Sequence, residues 1–219
     1  IHKGQLISEK YFQGYSKDSK TNTFSMAKTI LTLMVARAIE EGYIKDLNQP
    51  ITDFLPEFNN DPNGKLATIG SLSTMTSGYD WDEHYYSPFS PTVELLYGAS
   101  TQLLALVLNR ALKAKNPEWT LSSYLSEKFW QPLGMNDDAL WHLDNEGMEL
   151  AYCCISSNAR NYAKFGQLML QQGRWNDEQL INSNFINQMV KPRKVANYGY
   201  STWLNNNFST PYYVLRGHL

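Results

Sequence analysis

The sequence predicts an α+β fold in which an antiparallel sheet is flanked by helices and takes strands from near both ends of the chain. Residues 5–11 have the β-branched and aromatic content of a strand. Residues 198–204 and 212–216 are again strand-like. The segments between them carry helical patterns. This order of strand, helices and strands is typical of a sheet whose first and last strands flank an inserted helical region.

The first helix is predicted from apolar residues that recur at helical spacing and stop at Gly42, which suits a C-cap. Those apolar residues are Leu31, Met34, Val35 and Ala38. Residues 51–58 are predicted to form a short extended piece. Thr68 is predicted to open a short helix, and the aromatic and acidic stretch at 79–91 is predicted to be a loop.

The remaining helices follow from the same periodicity. An apolar stripe over residues 103–112 predicts a second long helix, with Ser100 as its N-cap. Further helices are predicted over about 120–129 and about 159–170, each followed by glycine or proline residues that end helices. Since no repeat or linker divides the chain, we expect a single domain over residues 1–219.

Composition and charge exclude several classes of function. The 219 residues are 42% apolar and 18% charged, and no apolar run approaches the about 18 residues of a membrane-spanning helix, so we expect no membrane span. The formal net charge is −2 and no basic stripe is present, so nucleic acid is not an expected partner. Aromatic residues make up 13% of the chain, which indicates either an aromatic-lined cleft or ordinary core packing.

Metal chemistry is not expected either. The two cysteines are adjacent and close no long loop, and the four histidines are scattered without HExxH or CxxC spacing. We therefore expect no cofactor. The chain opens at Ile1 without a methionine, which favours a processed or partly recorded chain and leaves the compartment open.

The sharpest local feature is an S-x-x-K pattern formed by Ser25 and Lys28 at the start of the first helix. Residues three apart on a helix share a face, so the hydroxyl and the amine are predicted to lie within hydrogen-bond reach. A neutral lysine amine takes the proton of a serine nucleophile, and the helix N-terminus stabilises oxyanion charge. The pattern is short, and the alternative is a serine N-cap with a solvated lysine.

Seven segments in the same order extend this pattern along most of the chain. They are GQLI at 4–7, FSMAKT at 24–29, AIEEG at 38–42, ITDFLP at 51–56, TI at 68–69 with MTSG at 75–78, QPLGM at 131–135, and AR at 159–160 with FG at 165–166. In these segments the chain resembles the serine β-lactamase, penicillin-binding protein and carboxylesterase superfamily, particularly its class C-like branch with esterases and nylon-oligomer hydrolases. The resemblance implies the penicillin-recognition fold. It also favours a periplasmic or secreted location, with a cytoplasmic one left open.

The resemblance assigns roles to the two residues of the pattern. Ser25 would be the acylated nucleophile and one oxyanion donor, and Lys28 would be its general base. The chain would then be a serine hydrolase that cleaves an amide or ester bond of a small molecule. The alternative is a catalytically silent binding protein that keeps the fold.

Other family features are matched less well. The family's Tyr-x-Asn or Tyr-x-Ser box is absent at Tyr97, which favours an esterase or amidase over an efficient β-lactamase. The third family box would fall at the end of the chain, with His218 facing the substrate. Trp81 and Tyr86 lie in the loop that would border the cleft, where the alternative is that they simply pack the loop.

The abrupt junction after Gly98 predicts missing sequence. The family places an extended segment with its tyrosine box before the helix at this point, so we expect an internal gap near residues 98–100 of about twenty or more residues, as active-site loops are often mobile. We also expect the domain to continue beyond both ends, because a sheet without its closing strand leaves an unpaired edge. The oligomeric state is left open.

Overall fold

The strands of this computed structural model form small antiparallel sheets. The structure describes residues 1–2, 4–78, 99–206 and 209–217. One sheet has the order β1 (Thr21–Asn22), β3 (Ile155–Ser157), β2 (Leu140–Trp141). Two further sheets are hairpins: β4 (Arg174–Trp175) with β5 (Glu178–Gln179), and β6 (Trp203–Asn205) with β7 (Tyr212–Val214). Strands and helices together confirm the α+β class.

Most of the regular structure between β1 and β6 is helical. The helices are α1 (Met26–Glu40), α2 (Pro62–Leu66), α3 (Ile69–Ser73), α4 (Ala99–Lys115), α5 (Leu121–Leu125), α6 (Ala159–Leu170) and α7 (Ser183–Met189). Short 3-10 turns lie at Ile51–Asp53 and Pro56–Asn60, and a π-helical turn at Ser126–Trp130 follows α5. Within the described ranges, no helix is long and apolar enough to cross a bilayer.

Helix α1 runs through the centre of the core. Nearly all of its residues from Ala27 to Ala38 are buried, because apolar side chains cover every face of the helix rather than one stripe. The helix ends as predicted: Gly42 has φ +70°, a conformation that glycine adopts without the Cβ penalty. The start of α1 is thereby carried on a rigid buried element.

The predicted starts of several other helices are confirmed, and each start has a capping side chain. Thr68 caps α3 and Thr120 caps α5, each through a reciprocal hydrogen-bond pair with the serine three residues later. The predicted range 159–170 coincides with α6, which Asn158 caps. The capping side chains lie within four residues of each helix start. These helix starts can therefore be predicted from local sequence.

Two predictions of extended segments, at residues 5–11 and 51–58, are wrong. Residues 5–11 form no strand: Leu6 and Ile7 are 51% and 68% exposed, and no described segment pairs with them beyond a bridge at Gln5. Strand-forming residues need a partner backbone, which local sequence does not reveal. Residues 51–58 contain 3-10 turns instead of an extended piece, because the fixed φ of proline suits both conformations.

Ser100 is not an N-cap, since α4 already includes Ala99. Its hydroxyl instead lies 2.8 Å from that of Ser77, a contact between α4 and the residues that follow α3. The predicted strand at 198–204 is also shorter than expected. Ser201 has φ +47°, which interrupts the extended backbone and leaves β6 to begin at Trp203.

Candidate active site

Ser25 and Lys28 meet at the first turn of α1. The Nζ atom of Lys28 donates a hydrogen bond of 2.8 Å to Oγ of Ser25, which confirms the predicted geometry. Ser25 holds the cap position, yet its side chain makes no capping hydrogen bond. Lys28 is only 6% exposed. The side chains therefore do not fit the alternative of a serine cap with a solvated lysine.

The backbone before Ser25 is fixed by β3. The Thr23 N–H donates to the Ile155 carbonyl at 2.8 Å, and the Ile155 N–H donates to the Thr23 hydroxyl at 3.2 Å. Phe24, between Thr23 and Ser25, has φ +45°, which is unfavourable for a residue with a Cβ. Such a conformation persists only where surrounding contacts hold it, so the serine is presented from a constrained turn.

Tyr162 of α6 contacts the backbone of the two strands next to this turn. Its hydroxyl lies 2.5 Å from the Thr21 carbonyl and 3.0 Å from the Ile155 carbonyl, and it accepts the Ser157 N–H at 2.6 Å. It thereby joins the β1 and β3 backbones. Burial raises the pKa of the Tyr162 phenol to about 12, with the Ser157 N–H opposing the rise, so the phenol stays protonated at neutral pH.

Helix α1 is also tied down on the residues that follow Lys28. The Thr29 hydroxyl donates to the Ser201 carbonyl at 2.5 Å, and the Thr32 hydroxyl donates to the Ser201 hydroxyl at 2.9 Å. The Ser201 hydroxyl in turn donates to the Ser73 carbonyl at 3.0 Å. These buried groups connect α1 to α3 and to the turn before β6, which limits rotation of the helix that carries Lys28.

A second contact holds the lysine from the loop at 149–154. Lys28 Nζ donates to the Tyr152 carbonyl at 3.0 Å. The side chain of Gln102 in α4 fixes the start of this loop: it donates to the Glu149 carbonyl and accepts the Ala151 N–H, each at 2.9 Å. Lys28 thus lies between the serine hydroxyl and a carbonyl that the fold itself positions.

The C-terminal strand region approaches the same turn. A Cβ added to Gly217 would lie 2.2 Å from the Thr23 carbonyl oxygen and 2.9 Å from the Phe24 Cβ, so glycine alone fits. The segment that leads into the predicted third box therefore passes directly beside the residues that precede Ser25. His218, the next residue, lies outside the described residues.

Several predicted features fall outside the described ranges. Trp81, Tyr86 and Tyr97 lie there, as does the junction after Gly98 at which missing sequence is expected. Their roles stay predictions. Among the residues that the structure describes, no group of three or more His, Cys, Asp or Glu side chains is placed to hold a metal ion.

Sequence reasoning missed the groups that position the pair. Asn22 precedes the turn and had a readable signal, because asparagine favours turns that bond their own backbone; its side chain accepts the Phe24 N–H at 2.8 Å. The Tyr152 carbonyl had none, since it belongs to the backbone and lies 124 residues from Lys28 in sequence. Contacts made across such a separation arise from the tertiary fold.

A comparison with protein families identifies the family of the chain. The family model described as Beta-lactamase matches residues 1–217. The chain belongs to the beta-lactamase family. A curated relative, the 6-aminohexanoate-dimer hydrolase of Paenarthrobacter ureafaciens, is 24% identical to the chain over 220 residues. The alignment covers 85% of the chain. The chain spans 54% of that relative's length.

Solved structures show the beta-lactamase fold as well. A Bacillus anthracis protein described as a candidate 6-aminohexanoate-dimer hydrolase superposes with a TM-score of 0.75 at 23% identity, covering 94% of this chain and 64% of its own. A family VIII carboxylesterase superposes with a TM-score of 0.64 at 18% identity, covering 88% of this chain and 69% of its own. At these identities the structures establish the beta-lactamase-like fold, as the sequence predicted.

Proposed function

We propose that the chain is the catalytic region of a serine hydrolase that cleaves an amide or ester bond through an acyl-enzyme on Ser25. The observation that carries this proposal is the hydrogen bond of 2.8 Å between Lys28 Nζ and Ser25 Oγ. It joins a partly exposed serine to a buried lysine, and the serine makes no side-chain cap that would explain its position. A nucleophile within hydrogen-bond reach of a base, with the base held by a third group, is the arrangement that acyl transfer needs.

In the proposed reaction, the neutral amine of Lys28 accepts the hydroxyl proton as Ser25 Oγ attacks the carbonyl carbon of the substrate. An O–C bond forms, and collapse of the tetrahedral intermediate breaks the bond to the leaving amine or alcohol. Lys28 gives the proton that it accepted from Ser25 to the leaving amine or alcohol. Water then attacks the ester, releases the acid and returns the proton to Ser25.

The oxyanion of the intermediate lies near the start of α1 in this proposal. Backbone N–H groups at a helix N-terminus favour negative charge, and Ser25 occupies that position. We further propose that His218, Trp81 and Tyr86 contact the substrate, on the support of the sequence pattern. Gly217, which precedes His218 in the sequence, lies beside the turn before Ser25.

We propose a linear amide or an ester as the substrate class ahead of a β-lactam. The curated relative is named as a 6-aminohexanoate-dimer hydrolase, and structural neighbours are named as a carboxylesterase and a D-stereospecific amidohydrolase. The substrate is a small molecule in this proposal.

A substrate panel tests the proposal. Initial rates are measured with p-nitrophenyl esters, a 6-aminohexanoate linear dimer and nitrocefin, for the wild-type chain and for Ser25→Ala. Ser183→Ala is a matched control, because Ser183 is an exposed serine at the start of α7. We expect turnover of the amide or an ester, its loss in Ser25→Ala and its retention in Ser183→Ala. Absence of turnover for every class would instead support a silent binding protein.

A further inference from the structure

The adjacent cysteines lie between two contacts to the segment that carries Ser25. Cys153 and Cys154 are joined by a disulfide. On one side, the carbonyl of the preceding Tyr152 accepts the hydrogen bond from Lys28 Nζ at 3.0 Å. On the other, the Cys154 N–H donates to Asn22 Oδ1 at 3.1 Å, the atom that also accepts the Phe24 N–H. The disulfide therefore forms part of the support of both catalytic candidates.

The backbone of this pair is in a conformation that needs such support. Cys154 has φ +78°, in the left-handed region that residues with a Cβ rarely adopt. A bond between neighbouring side chains closes a small ring that includes the backbone of both residues, so it restricts the angles that Cys154 can adopt. Both cysteines are partly exposed, which leaves the bond within reach of a small thiol.

We propose that the Cys153–Cys154 disulfide is a positioning element for Lys28, and that its reduction impairs proton transfer from Ser25. The proposal rests on the proposed function, since it takes Lys28 as the base. The Tyr152 carbonyl accepts one N–H of the amine and so fixes how the amine nitrogen faces the Ser25 hydroxyl. When the ring opens, Cys154 is free to leave its left-handed conformation, and the Tyr152 carbonyl loses its fixed direction.

The redox step is an exchange with a small dithiol such as dithiothreitol. The S–S bond breaks and two S–H bonds form, while the dithiol gives up two electrons and two protons and closes its own disulfide. The 219 residues contain no other cysteine, so a reductant has no second target among them. Reoxidation restores the bond in the same protein.

The first test measures the rate at which a fluorescent fluorophosphonate labels Ser25 in oxidised, reduced and reoxidised protein, across a range of pH. We expect labelling about fivefold slower after reduction, since a hydrogen bond between neutral groups typically contributes about 1 kcal/mol, which corresponds to this factor. We also expect a weaker rise of the rate with pH, and recovery on reoxidation. Partial unfolding would scale the rate equally at every pH. Equal rates and pH profiles in both states would overturn the proposal.

The variant Cys153→Ser/Cys154→Ser separates the disulfide from other effects of the reductant. We expect it to label slowly and to be indifferent to dithiothreitol, with circular dichroism confirming that it is folded. If the variant does not fold, the reversible comparison on the wild-type chain decides. Labelling of the variant at the rate of the oxidised protein would contradict the proposal, as would two free thiols that an oxidant fails to join.

A second readout does not depend on hydrolysis. An amine-acylating reagent followed by peptide mapping reports the reactivity of Lys28 in each redox state. Lys115 is the internal control, because its amine also donates to a backbone carbonyl, that of Gly42, at 2.7 Å. We expect reduction to change the reactivity of Lys28 and not that of Lys115. If Ser25 is never labelled, the proposed function fails, and an unchanged Lys28 would show separately that the disulfide does not position it.

Discussion

Lys28 Nζ lies 2.8 Å from Ser25 Oγ across the first turn of α1, at the position where serine usually caps the helix. The serine oxygen faces the lysine and makes no side-chain capping bond to the helix backbone. Elsewhere in the chain, Thr68 and Thr120 make such bonds at α3 and α5. The first turn of α1 thus lacks the side-chain capping hydrogen bond that α3 and α5 have.

This difference predicts how Ser25→Ala affects stability. Ser25→Ala removes no side-chain cap but only the acceptor of one Lys28 N–H, and Lys28 keeps the Tyr152 carbonyl as a partner. We therefore expect the free energy of unfolding to fall by less than the about 1 kcal/mol that Thr68→Ala should cost. Denaturant unfolding of the two variants measures both values. A cost for Ser25→Ala equal to that for Thr68→Ala would indicate that Ser25 acts as a cap in solution.

Lys28→Arg distinguishes a base from a simple positive charge. Arginine keeps the charge but does not lose its proton in the working range of pH, so it cannot accept the proton of Ser25. General-base catalysis contributes about 10²-fold or more, and we expect at least that loss in the rate of acylation by a p-nitrophenyl ester. Lys115→Arg is the control and should acylate normally. A near wild-type rate for Lys28→Arg would show that the lysine acts only through its charge.

Gly217→Ala tests the approach of the C-terminal segment to the turn before Ser25. The new Cβ would lie 2.2 Å from the Thr23 carbonyl oxygen, so the two backbones must separate. We expect a destabilisation of about 1–3 kcal/mol together with slower labelling of Ser25. Gly166→Ala is the matched control, since nothing lies within 4 Å of its added Cβ and alanine favours the helix. Two variants of equal stability would contradict the described contact.

Tyr162→Phe removes the hydroxyl that joins β1 to β3. The Ser157 N–H would lose its phenol acceptor, so we expect a loss of about 1–3 kcal/mol in the free energy of unfolding. The pKa of Tyr162 is raised to about 12 in the folded chain. The phenol therefore contributes its full share to the free energy of unfolding below pH 10, and this share is lost as the pH rises through 12. Unfolding measured from pH 8 to 11 should therefore show a constant difference to about pH 10 that narrows above it. A variant as stable as the wild-type chain would contradict this role.

The features that could be predicted from the sequence are those determined by residues close to one another in the chain. The spacing of Ser25 and Lys28, the end of α1 at Gly42 and the capping of α3 all arise within a few residues. The failures depend on distant partners. Residues 5–11 have strand-like composition but no described partner strand, and the Tyr152 carbonyl reaches Lys28 only through the tertiary fold.

Ser25 is proposed to be a nucleophile activated by Lys28, and covalent capture of the serine tests this role most directly. The wild-type chain is treated with a fluorophosphonate probe, digested and mapped by mass spectrometry. We expect one adduct on the peptide that contains Ser25, its absence in Ser25→Ala and its strong reduction in Lys28→Arg, with Ser183→Ala labelled normally. An adduct on any other peptide, or labelling that persists in Ser25→Ala, would contradict the account.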